Sequence, residues 1–154
     1  MKTKITDSYR FDFLKKTVEH FIHFSYAPNG YMVTFSNEAQ YQYNPKSRST
    51  SLREAIDSLI IFYFGDESSL DDIDMPEENE ALSSHIDFLE MILKTTTHTF
   101  SIRPVTSSEG SHQISNDLLV FHDHSRGGVT RGSSLEKLLT DMYLKNLTET
   151  IFNG

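Results

Sequence analysis

Residues 66–80, Asp66-Glu67-Ser68-Ser69-Leu70-Asp71-Asp72-Ile73-Asp74-Met75-Pro76-Glu77-Glu78-Asn79-Glu80, fall almost midway along a chain of 154 residues and contain eight carboxylates with no Lys or Arg. The whole chain has 22 acidic and 14 basic residues, so everything outside this run balances at 14 against 14 and the formal net charge of −8 resides within it. A run of like charge repels itself and favours a solvated connection, so residues 66–80 are expected to separate two structured halves. Those halves have the same order of elements, and that order sets the expected fold.

Upstream, Phe11, Leu14, Val18, Phe21 and Ile22 recur at three- and four-residue spacings, which predicts an amphipathic helix over residues 8–24. Ala27-Pro28-Asn29-Gly30 is turn chemistry, because Pro fixes φ and Asn-Gly tolerates positive φ. Residues 31–35 and 40–43 are predicted strands, and residues 44–50 form a loop made basic by Lys46 and Arg48. Ser51-Leu52-Arg53-Glu54 is a capping box, in which the Ser hydroxyl accepts from the Glu54 N–H while the Glu side chain reaches back. It opens a helix with Leu52, Ala55, Ile56, Leu59, Ile60 and Tyr63 inward, stopped near Gly65.

Downstream the order recurs. Residues 80–96 carry Leu82, Leu89, Ile92, Leu93 and Thr96 on one helical face, residues 100–105 and 118–122 are predicted strands, and residues 125–132, with Arg126 and Arg131, make a second basic loop. Ser133-Ser134-Leu135-Glu136 is a second capping box before a last helix with Leu135, Leu138, Leu139, Met142, Tyr143, Leu147 and Ile151 inward. Asp12-Phe13-Leu14 echoes Asp87-Phe88-Leu89, Phe24-Ser25 echoes Phe100-Ser101, and Ser51-Leu52 echoes Ser134-Leu135. The expected fold class is α+β. Two αββα halves, residues 8–65 and 80–152, build a mostly antiparallel four-stranded sheet with helices packed on it, in a single domain spanning residues 1–154. The halves are either a duplicated unit or one α+β domain whose elements alternate in this way.

Composition narrows the classes of function. A hydrophobic share of 37%, with eleven Phe and seven Tyr, is enough to build a core. The absence of Cys excludes disulfides, thiolate metal sites and cysteine nucleophiles. The N-terminus lacks the apolar core of a signal peptide, and the longest apolar run, residues 59–64, is far short of the ~20 residues of a membrane span. A cytoplasmic location is therefore expected. The acidic balance argues against nucleic acid as a direct ligand, since such binders draw their affinity from clustered Lys and Arg.

Candidate chemistries fail at specific positions. A calcium loop starting at Asp66 would place Leu70 at position 5 and Asp71 at position 6, where a Gly is needed for the sharp turn. His122-Asp123-His124 resembles the opening of the HxHxDH motif of metal hydrolases, but Arg126 and Gly127 stand where that motif has Asp and His, which leaves two ligands. Residues 127–134, GGVTRGSS, share the glycine spacing of a phosphate loop but have Ser133 in place of its Lys. No GxSxG elbow is present. The chain is accordingly expected to be non-enzymatic, with no cofactor and no metal. Residues 66–80 then remain either a solvated linker or an acidic recognition surface with Leu70, Ile73 and Met75 as apolar contacts among the charges.

Small size, acidity, absence of Cys and this concentrated acidic run together resemble the immunity proteins that neutralise bacterial toxin domains, including the nuclease toxins of contact-dependent growth inhibition. The resemblance implies a protein that occludes the active site of a cognate basic, nuclease-type toxin domain, its carboxylates taking the place of nucleic-acid phosphates. It implies partner contacts at Asp66, Glu67, Asp71, Asp72, Asp74, Glu77 and Glu78, with Ile73 and Met75 as buried anchors. Charge complementarity would raise the association rate. Two alternatives stay open. The opening helix followed by Gly30-Tyr31-Met32-Val33-Thr34-Phe35 is similar in outline to type III secretion chaperones, which hold an effector segment. A metal-dependent hydrolase would use His122 and His124.

Overall fold

A computed structural model of the chain describes residues 4–18, 21–36, 42–43, 45, 47–65, 67–104, 119–125 and 127–153. Four α-helices and six strands alternate in the order α1 (Asp7–Thr17), β1 (Phe21–Ala27), β2 (Gly30–Ser36), β3 (Gln42–Tyr43), α2 (Leu52–Phe64), α3 (Glu80–Ile92), β4 (Thr99–Pro104), β5 (Leu119–Asp123), β6 (Val129–Gly132) and α4 (Leu135–Asn153). The protein is α+β, and each half runs helix, three strands, helix.

The sheet is antiparallel throughout, in the order β3-β2-β1-β4-β5-β6, so each half contributes a meander and the first strands of the two meanders pair at the centre. At that junction Ile22 faces Ile102 and Phe24 faces Phe100, whose rings stack at 4.7 Å. Such a pair adds about 1 kcal/mol beyond the burial of its area. Phe121 continues the stack onto β5, 4.6 Å from Phe100. Alternation puts Ile22, Phe24, Val33, Phe35, Phe100, Ile102 and Phe121 on one face, where they join Phe11, Leu14, Leu52, Ile56, Leu59, Ile60, Ile86, Leu89, Leu138 and Leu139 in one core. The helices form a single layer over that face: α2 lies on β2 and β3, α4 on β5 and β6, and α1 and α3 pack together between them.

Local signals set most boundaries. The β1–β2 turn is Pro28-Asn29, with Ala27 opposite Gly30. Ser51 accepts from the Glu54 N–H at 3.2 Å, and Glu54 returns to the N–H and hydroxyl of Thr50. Gly65, at φ 85°, ends α2 with its N–H on the Ile61 carbonyl. Asn79 caps α3 through the Ala81 and Leu82 N–H groups.

Four expectations need correction. Among the described residues the sheet has six strands rather than four. The first helix stops at Thr17, and Phe21–Ala27 is a strand, because FIHFSYA also alternates at period two and pairs on both sides in the centre of the sheet. The second basic loop contains β6. It packs so closely under α4 that a Cβ on Gly132 would meet Leu138 atoms at 2.8 and 2.9 Å. The second helix cap is also displaced by one residue, with Ser134 accepting from the Lys137 N–H at 3.1 Å. The loop over residues 106–117 lies outside the described residues.

Candidate partner-binding surface

The acidic run is folded onto the domain. It begins as a 3-10 turn, Glu67–Leu70, whose Leu70 is 1% exposed in the core, and half-buried Ile73 and Met75 pack against the same core. The apolar residues expected to anchor a partner thus fasten the run to its own helices. Downstream, the Asp7 N–H donates to Glu78 Oε1 at 2.7 Å and the Ser8 hydroxyl donates to the Glu77 carbonyl. The run is therefore a strap across the N-terminus of α1, where unsatisfied N–H groups and the helix dipole favour a carboxylate. Asp71, Asp72, Asp74 and Glu77 are exposed on it, whereas Asp66 and the Glu67 side chain lie outside the described residues.

Beneath the strap a network of ion pairs ties three helices together. Asp7 accepts from Arg10 at 2.7 Å and from two nitrogens of Arg53 at 2.8 and 2.9 Å. Arg10 forms a bidentate pair with Asp57 at 2.7 and 2.8 Å, and Arg53 extends to Asp87 at 2.8 Å. Burial disfavours the charged form of Asp7, but hydrogen bonds from Arg53, Ser83 and Arg10 outweigh it and hold the carboxyl well below the usual carboxylate range. Burial raises Asp57 against the opposing pull of Arg10. The network orients the end of α1 that receives Glu78.

Beside the strap is a cleft of about 650 Å³, between α1, the C-terminal end of α2 and the strap itself. Its walls are aromatic: Phe13 meets Tyr63 edge-on at 5.6 Å, and Tyr63 meets Phe64 edge-on at 5.3 Å. Tyr63 and Phe64 are 44% and 39% exposed, and Phe62 beside them is 39% exposed. Asp12 and Lys16 of α1 and Asp74 of the strap supply the charges that line it. Among the described residues, Asp74 is the one expected acidic contact that lines this cleft. Tyr63, expected inward, rests its ring against buried Phe13 and Phe35 but stays 44% exposed, because a helix ending in Ile61-Phe62-Tyr63-Phe64 cannot turn four consecutive side chains to one face. That arithmetic is the signal in the sequence that marks the aromatic wall.

The other face of the sheet carries a histidine cluster. Cross-strand register aligns Thr34, His23, Ser101, His122 and Val129 in one row. His124, just past β5, joins them, with ring centroids 4.3 Å from His122 and 5.5 Å from His23, and its Nε2 lies 2.8 Å from the buried Ser101 hydroxyl. Burial lowers the His23 pKa, assisted by His124, and burial with His122 lowers that of His124 against the pull of Asp123. Among the described residues no group of three or more His, Asp or Glu is arranged to hold a metal ion. The pairing of His122 with His124 was legible from their spacing; the approach of His23 and Ser101 required the strand register.

The basic loops are engaged in part. Arg48 donates to the Gly30 carbonyl at 3.1 Å, bracing the β1–β2 hairpin, and Arg131 lies on β6. Lys46 and Arg126 lie outside the described residues. Among the described residues no helix is long and apolar enough to cross a membrane. Compared with known proteins, the chain matches no family model, no curated protein and no solved structure.

Proposed function

We propose that this chain is a non-enzymatic, cytoplasmic inhibitor that binds a cognate basic toxin domain, of nuclease type, through the acidic strap and occludes its active site. The observation that carries this reading is the placement of exposed Asp71, Asp72, Asp74 and Glu77 on a strap pinned by Leu70, Ile73, Met75 and Glu78, directly beside an aromatic cleft. Charges on a pre-folded strap lose little conformational freedom on association, so their attraction for a basic partner is not offset by ordering the run. The aromatic wall adds the residue type that dominates the energetics of protein interfaces.

The same reading takes the two αβββα halves as a duplicated unit, each with three strands instead of two. In support, the echoed residues Phe24 and Phe100, 76 positions apart in sequence, lie opposite each other where the two meanders meet.

The test is capture of partners by tagged protein from the native host at low and high salt, followed by the same capture with Asp71, Asp72 and Asp74 all changed to Lys. A basic toxin or nuclease fragment should be retained at low salt, weaken as salt rises, and be lost from the triple variant. Retention by the variant at wild-type affinity would sink the assignment.

A further inference from the structure

We propose that the cleft between α1, the end of α2 and the strap is the receiving site for an arginine side chain presented on an extended segment of the partner. The inference rests on the protein-binding function proposed above and assigns chemistry to one part of that surface. A volume of about 650 Å³ is in the range of sites that enclose a ligand, and it accommodates a long side chain together with its flanking backbone. Tyr63 and Phe64 in its wall are 44% and 39% exposed, and a planar guanidinium stacks favourably on aromatic rings.

Two carboxylates, Asp12 from α1 and Asp74 from the strap, line the same cleft and are exposed. Among the described residues neither forms an ion pair. A guanidinium in the cleft can donate to a carboxylate in bidentate fashion while its face lies on an aromatic ring, a combination that an ammonium cannot reproduce. Lys16 is the opposing charge in the cleft, and it too forms no ion pair among the described residues. It leaves the cleft with one excess negative charge, two and three residues from the further carboxylates Asp72 and Asp71. Lys16 therefore makes the sign of the ligand testable.

The experiment uses the full chain, isotopically labelled, and a blocked heptapeptide, acetyl-Gly-Ser-Gly-Arg-Gly-Ser-Gly-amide, with lysine and citrulline versions as controls. Amide shifts of Phe13, Tyr63, Phe64 and Asp74 should move with the arginine peptide and saturate in the millimolar range, as suits a single anchoring side chain. The lysine peptide should bind several-fold more weakly, and the neutral citrulline peptide should not bind. Asp12→Asn with Asp74→Asn should weaken arginine-peptide binding roughly tenfold, and Lys16→Ala should strengthen it. All three residues are exposed, so these variants retain the fold.

Equal binding of the citrulline peptide, weakening by Lys16→Ala, or shifts confined to Asp71 and Asp72 would each overturn the cleft assignment. With shifts confined to the strap and partner capture still dependent on its carboxylates, the inhibitor function stands and only the arginine site falls. Loss of charge dependence in partner capture removes the wider proposal independently of the peptide result.

Discussion

The backbone N–H of Asp7 donates to the carboxylate of Glu78 at 2.7 Å, joining residues 71 positions apart in sequence. One carboxylate of the acidic run thus serves as a cap for α1, while the Asp7 side chain a few ångströms away gathers Arg10 and Arg53. A stretch whose charge favours solvation is held in one place by a helix N-terminus, because the unpaired N–H groups there have no intrahelical acceptor.

Glu78→Ala should therefore lower stability by about 1 kcal/mol, the usual worth of a lost cap. Urea unfolding checks the magnitude. Faster exchange of the Asp7 amide, with that of the α1 interior unchanged, checks the location.

Asp7→Asn leaves Arg10 and Arg53 facing a neutral group in a largely buried site and should cost about 3 kcal/mol at neutral pH. The Asp7 carboxyl titrates lower in the folded protein than in the unfolded chain, so its contribution is present above the unfolded value of about 4 and is lost as pH falls through the folded one. The stability gap between wild type and variant should accordingly be constant above about pH 5 and narrow in acid. A gap that widens in acid would contradict the ion-pair network.

The histidine cluster sets a second pH dependence. His23 and His124 both have lowered pKa values, so the unfolded chain takes up protons before the folded one, and stability falls as pH drops below about 6.5. Urea midpoints between about pH 8 and 5 should show this decline. His23→Gln should flatten it by removing one of the mutually repelling imidazoles, whereas an unchanged slope would show that the cluster does not titrate as a unit.

Gly132→Ala places a methyl group 2.8 Å from Leu138 Cβ and 2.9 Å from its Cα, so α4 must lift from β6 at a cost of about 2 kcal/mol. Gly128→Ala, where an added Cβ meets nothing within 4 Å, is the control and should change stability by less than about 0.5 kcal/mol. Thermal melts of the two variants side by side decide it.

The parts of the fold that were legible in sequence are those decided within one turn of chain. Ser51 and Gly65 mark helix ends through hydrogen bonds to neighbours three and four residues away, and Pro28-Asn29 sits between paired strands as its turn chemistry requires. Phe21–Ala27 was not legible in this sense, because Phe21 and Ile22 satisfy a helical period while Ile22 and Phe24 satisfy a strand period. Pairing with β2 on one side and β4 on the other selects the strand.

For the candidate surface the division has the same physical origin. The sequence by itself determined where the charge lies, which chemistries lack their ligands, and that α2 ends in more aromatic side chains than one face can bury. Only the tertiary structure decided that Leu70, Ile73 and Met75 turn inward, that Asp74 shares a cleft with Asp12 and Tyr63, and that His23 and Ser101 reach His124. Each of these contacts joins distant parts of the chain. Its existence depends on loop closure, strand register and competing burial, all of which are settled by the whole fold and by no local stretch.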